Sequence, residues 1–305
     1  MLAQLGVLAF AFQSAGHIEV IPKAAPKAAA PVVRVDSSLL LIPVHVTTSG
    51  GASVTGLKKE DFELFEDGVR QTITHFSQDD APVSAGVLLD VSGSMRNKMA
   101  KASEAATGFF KFANPEDEFF LLEFNARPRV SVPFTRDWSG IASEIAAAKP
   151  SGMIAMLDAI HLAIAQMKHA IHARKALVVI SDGGDNFSRR NLRELKGTLL
   201  EAGVQVYSLG VFDRDYSVKH TPEERNGPSL LDEVALDTGG RTFPVSLDAL
   251  PQIARELRNQ YVLGYSPAAM TTDGKYHRVN LKVATPDSED RLRTYYRQWY
   301  YAPGQ

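Results

Sequence analysis

GVLLDVSGSMRNKM, residues 86–99, is an apolar run that ends in one acid and two serines set at alternate positions. Up to Leu89 it has the continuous hydrophobicity of a strand buried on both faces, as parallel sheets require. The adjoining segment, MRNKMAKASEAATGFFKFA, spaces its apolar residues by three and four, as an amphipathic helix does. The alternation continues down the chain. DEFFLLEFN, RVSVPFT, ALVVISD, VQVYSLGVF and RTFPV read as strands. WSGIASEIAAAK, MLDAIHLAIAQMKHAIHA, RNLRELKGTLLEAG and SLLDEVALDTGG read as helices, with Gly203 and Gly239 where C-caps belong. Residues 82–259 are therefore expected to form an α/β domain, a mostly parallel sheet with helices on both faces. Such sheets bind ligands at the carboxyl ends of their strands, near the point where strand order reverses, and this is where Asp90, Ser92 and Ser94 fall.

On both sides of that domain the pattern changes to period two. VRVDSSLLLIPVHVTT is followed by a turn at Gly50 and Gly51, and FELFEDGVRQTITHFS carries a tight turn at Asp67 and Gly68. Between them VTGLKKEDF leads the chain to the next strand without a helix of useful length. The far end is again rich in β-branched and aromatic residues, in YVLGYSP, YHRVNLKVAT and RLRTYYRQWYYAP. Residues 32–80 and 260–303 are each too short to stand alone, so they are expected to pair into one small β-sandwich with the α/β domain inserted between them.

Composition narrows the partners. The chain has 305 residues, 33 basic and 35 acidic side chains, a formal charge of −2 and 45% hydrophobic residues. Charges so well mixed argue against nucleic acid or an acidic membrane surface. With no cysteine, disulfides, thiolate metal sites and cysteine catalysis are excluded. The first sixteen residues, MLAQLGVLAFAFQSAG, look like a secretory apolar region and cleavage zone lacking a basic start, so export to the periplasm or cell exterior is expected. Residues 17–31, which include PKAAPKAAAP, read as an extended tether. No other segment approaches the 20 or so apolar residues of a membrane-spanning helix.

Three readings compete for the Asp90 cluster. A hydrolase serine sits in a GxSxG elbow, but the first glycine is missing here. No SxxK arrangement exists at Ser92 or Ser94, and no histidine lies in a loop at the carboxyl edge of the expected sheet. Alternatively, Asp and Ser cap the helix that begins near Met95. The third reading rests on spacing: one carboxylate and two hydroxyls at i, i+2 and i+4 of an extended loop present hard oxygen donors to one side, as Mg²⁺ or Mn²⁺ prefers.

LLDVSGSM resembles the first loop of a von Willebrand factor A domain, whose DxSxS motif forms part of a metal-ion-dependent adhesion site. VVISDGGDNFS resembles the third loop of that site, with Asp182 ending an apolar strand. The flanking segments resemble those bracketing the domain in a bacterial group described largely from Acidobacteria, so the likeness runs from Val32 to Pro303. It implies a Rossmann-like, doubly wound fold and an adhesion-type, non-enzymatic module. It also implies a metal set of Asp90, Ser92, Ser94 and Asp182, through which a bound cation accepts an Asp or Glu carboxylate from a protein partner.

The second loop departs from the pattern. Where the family typically reads GGTALYDAI, this chain has GMIAMLDAI, so Ile154 stands at the threonine position. Met153 offers only a soft thioether, and Ser151 is three residues away, about 10 Å of extended chain. Metal affinity is therefore expected to be weakened. Met95, Arg96, Asn97, Met153 and Ile154 are expected to form the rim, with Met and Ile as an exposed apolar patch. Asp185 and Asn186 read either as a loop turn or as further rim contacts. A metal-independent interaction or scaffold protein using the same face is the alternative function, and a hydrolase through Ser92 or Ser94 is a third.

Other features have plainer readings. His161, His169 and His172 fall on one expected helix and read as its solvated face. Asp237-Thr238-Gly239 reads as a helix end, and the DSED at 287–290 as a hairpin turn.

Overall fold

The computed structural model describes residues 39–78, 80–212, 222–246, 249–267, 273–284 and 292–302. The expected signal and tether, and the DSED turn, lie outside the described residues.

The described residues begin with four strands, β1 (Leu40–Thr47), β2 (Phe62–Glu66), β3 (Val69–Gln71) and β4 (His75–Ser77). Between β1 and β2 the backbone makes one 3₁₀ turn, Lys59–Asp61, in which the Lys58 amide donates to the Asp61 carboxylate at 2.6 Å. The turn between β2 and β3 has Asp67 at φ 47° and Gly68 at φ 84°, a left-handed pair that suits a two-residue hairpin.

Then come β5 (Val83–Asp90), α1 (Met99–Phe110), β6 (Glu118–Phe124), β7 (Arg129–Thr135), α2 (Trp138–Ala147), α3 (Met156–Gln166), β8 (Arg174–Ser181), α4 (Leu192–Ala202), β9 (Gln205–Gly210), α5 (Pro222–Asp237), β10 (Thr242–Pro244) and α6 (Ala249–Arg258). Their six strands form one sheet in the order β10-β9-β8-β5-β6-β7. All neighbours are parallel except the antiparallel edge pair β6–β7. Every residue of β5, β6 and β9 is buried, which accounts for the apolar side chains that predominate along them. One apolar cluster joins β5 to α1 and α6, and another joins β6 and β8 to α3 and α4. The fold is thus doubly wound, as expected.

The chain ends in β11 (Tyr261–Tyr265), β12 (Tyr276–Val283), β13 (Arg293–Tyr296) and β14 (Trp299–Tyr301). Two antiparallel sheets result, β13-β1-β11-β4 and β14-β12-β2-β3, each mixing strands from both chain ends. Ile42, Val44, Phe62, Leu64, Tyr261, Leu263, Val279 and Leu281 from both sheets share one core. The two-residue alternation along β12, buried at every second position, is what such packing requires.

The long helix read across residues 156–173 stops sooner. Regular α-helix ends at Gln166, a 3₁₀ turn covers Met167–His169, and His172 lies beyond it. The His172 imidazole bonds the Glu116 carbonyl, so it does not share a helical face with His169. The Asp-Thr-Gly triplet does end α5: the Thr238 hydroxyl donates to the Ala235 carbonyl and accepts from the Val206 amide.

Candidate functional site

In the central sheet β6 lies on one side of β5, and β8 with its successors lies on the other, so strand order reverses between β5 and β8. Asp90 is the last residue of β5, and Asp182 comes directly after the last residue of β8. Both sit at the place where doubly wound sheets open a crevice.

Three loops meet there. The first, after β5, turns through a 3₁₀ segment, Gly93–Met95, whose Gly93 amide donates to the Gly152 carbonyl of the second loop. The second is tied to the third by the Ile154 amide, which donates to Asn186 Oδ1 at 3.0 Å, and by the Asn186 and Phe187 amides, which both donate to the Ile154 carbonyl. Asp185 caps the start of α3 by accepting from the Leu157 amide, and accepts also from the Ser188 amide; burial pushes its carboxyl above the usual range. Asp185 and Asn186 thus splice two loops together.

Gly183, at φ 83°, lets the third loop pass close under α5: a β-carbon there would stand 2.4 Å from the Gly227 carbonyl oxygen. Only glycine accepts both conditions.

Asp90 is fully buried. Its Oδ1 accepts from the Ser92 amide at 2.8 Å and its Oδ2 from the Ser181 hydroxyl at 2.6 Å. Burial, reinforced by the neighbouring charge of Asp182, pushes its pKa up to about 7. The Ser92 and Ser94 hydroxyls are 3.0 Å apart and hydrogen-bond each other. Asp182 is 1% exposed; its Oδ2 accepts from the Lys98 ammonium at 2.9 Å, while its Oδ1 is buried without a partner.

The four residues expected to hold a metal are therefore brought together, but the set as it stands does not fit a divalent cation. Mg²⁺ asks for an octahedron of oxygens, and the second loop contributes no side-chain oxygen because Ile154, 4% exposed, is packed into the core. Lys98, itself buried, puts a positive charge on the carboxylate that would bind the ion.

The rim also differs from expectation. Met95 is fully buried in the core and Ile154 nearly so, because the 3₁₀ turn directs Met95 inward and an aliphatic side chain gains about 2 kcal/mol by leaving water. The exposed rim consists of Arg96, Asn97, Met153 and Asn186, joined by Phe187, which the sequence pattern alone does not single out. Sequence reasoning misses Lys98 and Ser181 too. A serine closing an apolar strand and a lysine in a basic, polar stretch carry no signal of inward orientation.

A second polar cluster lies in the sandwich. The His277 ring nitrogens meet Asp67 Oδ2 at 2.8 Å and Asp273 Oδ1 at 3.3 Å, and Glu66, nearby, accepts from the Tyr300 hydroxyl. The hydrogen bond to Asp67 holds the imidazole above its ordinary pKa.

Residues 87–184 match the family described as von Willebrand factor type A domain. No curated protein matches the chain. Among solved structures, an aerotolerance-related membrane protein from Bacteroides fragilis is 20% identical, with 57% of this chain and 98% of that one covered at a TM-score of 0.48. BatB from Bacteroides thetaiotaomicron is 21% identical over 57% and 97% of the two chains, with a TM-score of 0.48. Manganese-loaded TRAP protein from Plasmodium vivax is 13% identical over 77% and 97%, also at 0.48. No helix among the described residues is long and apolar enough to cross a membrane.

Proposed function

We propose, from the premise that the central sheet carries a von Willebrand factor type A domain, that the chain is a non-enzymatic protein-binding module whose partner docks on the joined loops. One observation carries this reading. Met153 and Phe187, 53% and 44% exposed, stand on the second and third loops, whose backbones are joined where the Phe187 amide donates to the Ile154 carbonyl, and exposed polar Asn186 precedes Phe187. Large apolar side chains held outward on rigid loops within a polar surround are the composition of a protein-contact surface. Ser92 and Ser94 hydrogen-bond each other, and no described histidine bonds either hydroxyl, which supports a binding rather than a hydrolytic role.

Asp90, Ser92 and Ser94 come together as a second reading, in which a divalent cation bridges the domain to a partner's carboxylate, would ask, but Ile154 in the core and the Lys98–Asp182 pair stand against it. Export of the chain belongs with either, and fractionation of cells with detection of the protein outside the cytoplasm tests it.

Affinity capture from the source cells, comparing the wild type with a Met153→Glu/Phe187→Glu variant of unchanged circular dichroism, tests the docking face. A protein retained by the first and lost from the second is expected. An identical set of retained proteins refutes the proposal.

A further inference from the structure

We infer that the Lys98 ammonium is the resident cation of the loop-face site, standing in for a divalent metal so that the face operates without one. This goes deeper into the proposed binding face but depends on it only for its consequence for the partner.

Lys98 is placed by the backbone. Its amide donates to the Met95 carbonyl and its own carbonyl accepts from the Ala102 amide, so it forms the joint between the 3₁₀ turn and α1. From there its side chain runs inward rather than to water: the side chains of Lys98 and Asp182 are 6% and 2% exposed. Lysines are almost never buried unless paired, and here the pair reaches across from the first loop to the third. Two carboxylates, Asp90 and Asp182, share this buried crevice and need positive charge nearby. The lysine supplies it covalently, with no dependence on metal concentration.

Ile154 is an independent sign of the same change. A side-chain oxygen at that position would help to hold a cation, whereas a lysine-compensated site has no use for one, and the position is given to the core. An entering Mg²⁺ would have to take Asp182 from the ammonium and then sit beside it as a like charge.

If the lysine is what excludes the metal, removing it and restoring the hydroxyl should create a site. Asp182 would be released at Oδ2, its Oδ1 is already without a partner, and Asp90, Ser92 and Ser94 are in place. The experiment is calorimetric titration of Mn²⁺ into wild type, Lys98→Ala/Ile154→Thr, and the latter carrying Asp182→Asn as well. No saturable heat is expected from wild type, a saturable isotherm from the double variant, and its loss in the triple. Saturable binding by wild type that Asp182→Asn abolishes would overturn the inference, and so would a folded double variant that binds nothing.

A second measurement needs no variant. Acylation of surface amines on wild type, mapped by mass spectrometry, should leave Lys98 unmodified with or without millimolar Mn²⁺. Labelling of Lys98 that appears only with Mn²⁺ means the ion displaces the lysine and refutes the inference. Partner capture should also survive EDTA. Failure of capture altogether would count against the docking face alone, because the titration and the labelling read Lys98 with no partner present.

Discussion

The carboxyl edge of the parallel sheet and the hairpin end of the sandwich hold similar groups at different depths. At the first, Lys98, Asp182 and Asp90 are shut away from water, each is fixed by a neighbouring loop, and one carboxylate oxygen has no partner. At the second, His277 is gripped by Asp67, which is half exposed on its turn, and by Asp273. Charge compensation weighs more in the crevice, where both members of the ion pair are buried, than on the hairpin, where His277 is buried but Asp67 is half exposed to water. Electrostatic weight therefore tracks burial and not the number of ion pairs.

The largest effect that would break this comparison is loss of the buried partner. Lys98→Met should cost roughly 3–5 kcal/mol in urea unfolding, and adding Asp182→Leu should recover much of it. A loss below about 1 kcal/mol would put the crevice on the same footing as the hairpin.

Next comes the backbone that brings Asp182 to its place. Gly183→Ala combines a positive φ with a steric overlap on Gly227, and a loss of about 2 kcal/mol is expected from thermal unfolding. The same change at Gly56, also at positive φ but with open space around its β-carbon, should cost less.

Histidine titration sharpens the contrast within the sandwich. His45, fully buried, is lowered to about 4 by burial first and then by the charge of Arg241. A depressed histidine binds its proton less well when folded, so its contribution is whole above the unfolded value of about 6.5 and drains away as pH falls from there toward 4. His45→Gln should flatten the acid limb of a stability–pH profile. His277 has the reverse sign: its raised pKa contributes fully below about 6.5 and is lost as pH climbs through its folded value. Its replacement by glutamine should have the smallest effect, about 1 kcal/mol or less, confined to the acid side of that window.

Strand and helix types were legible wherever one periodicity ruled. β5 and β9, buried at every residue, read as predominantly apolar runs, and β12, buried at every second residue, read as alternation. Two strings were harder. RLRTYYRQWYYAP is split by the structure into β13 of one sheet and β14 of the other, and FELFEDGVRQTITHFS crosses between the sheets in the same way. A local pattern records which faces are buried but not which neighbour buries them. The α3 helix ended early because Ala170 turns to an extended backbone, a stop that the alanine- and lysine-rich sequence does not mark.

At the site, the DxSxS spacing and the apolar strand ahead of Asp182 suffice to place four oxygen-bearing side chains at one strand edge, because strand ends in a parallel sheet are adjacent by construction. Ile154, set beside the threonine of similar domains, is also plain in the sequence. What only the tertiary structure decided is the direction of three side chains. Met95 and Ile154 turn into the core, and Lys98 reaches 2.9 Å from Asp182 instead of extending into solvent. A lysine's long stem can take either path, and the choice belongs to the 3₁₀ turn and the buried carboxylates around it, which sit far apart in the chain and meet only when the sheet has formed.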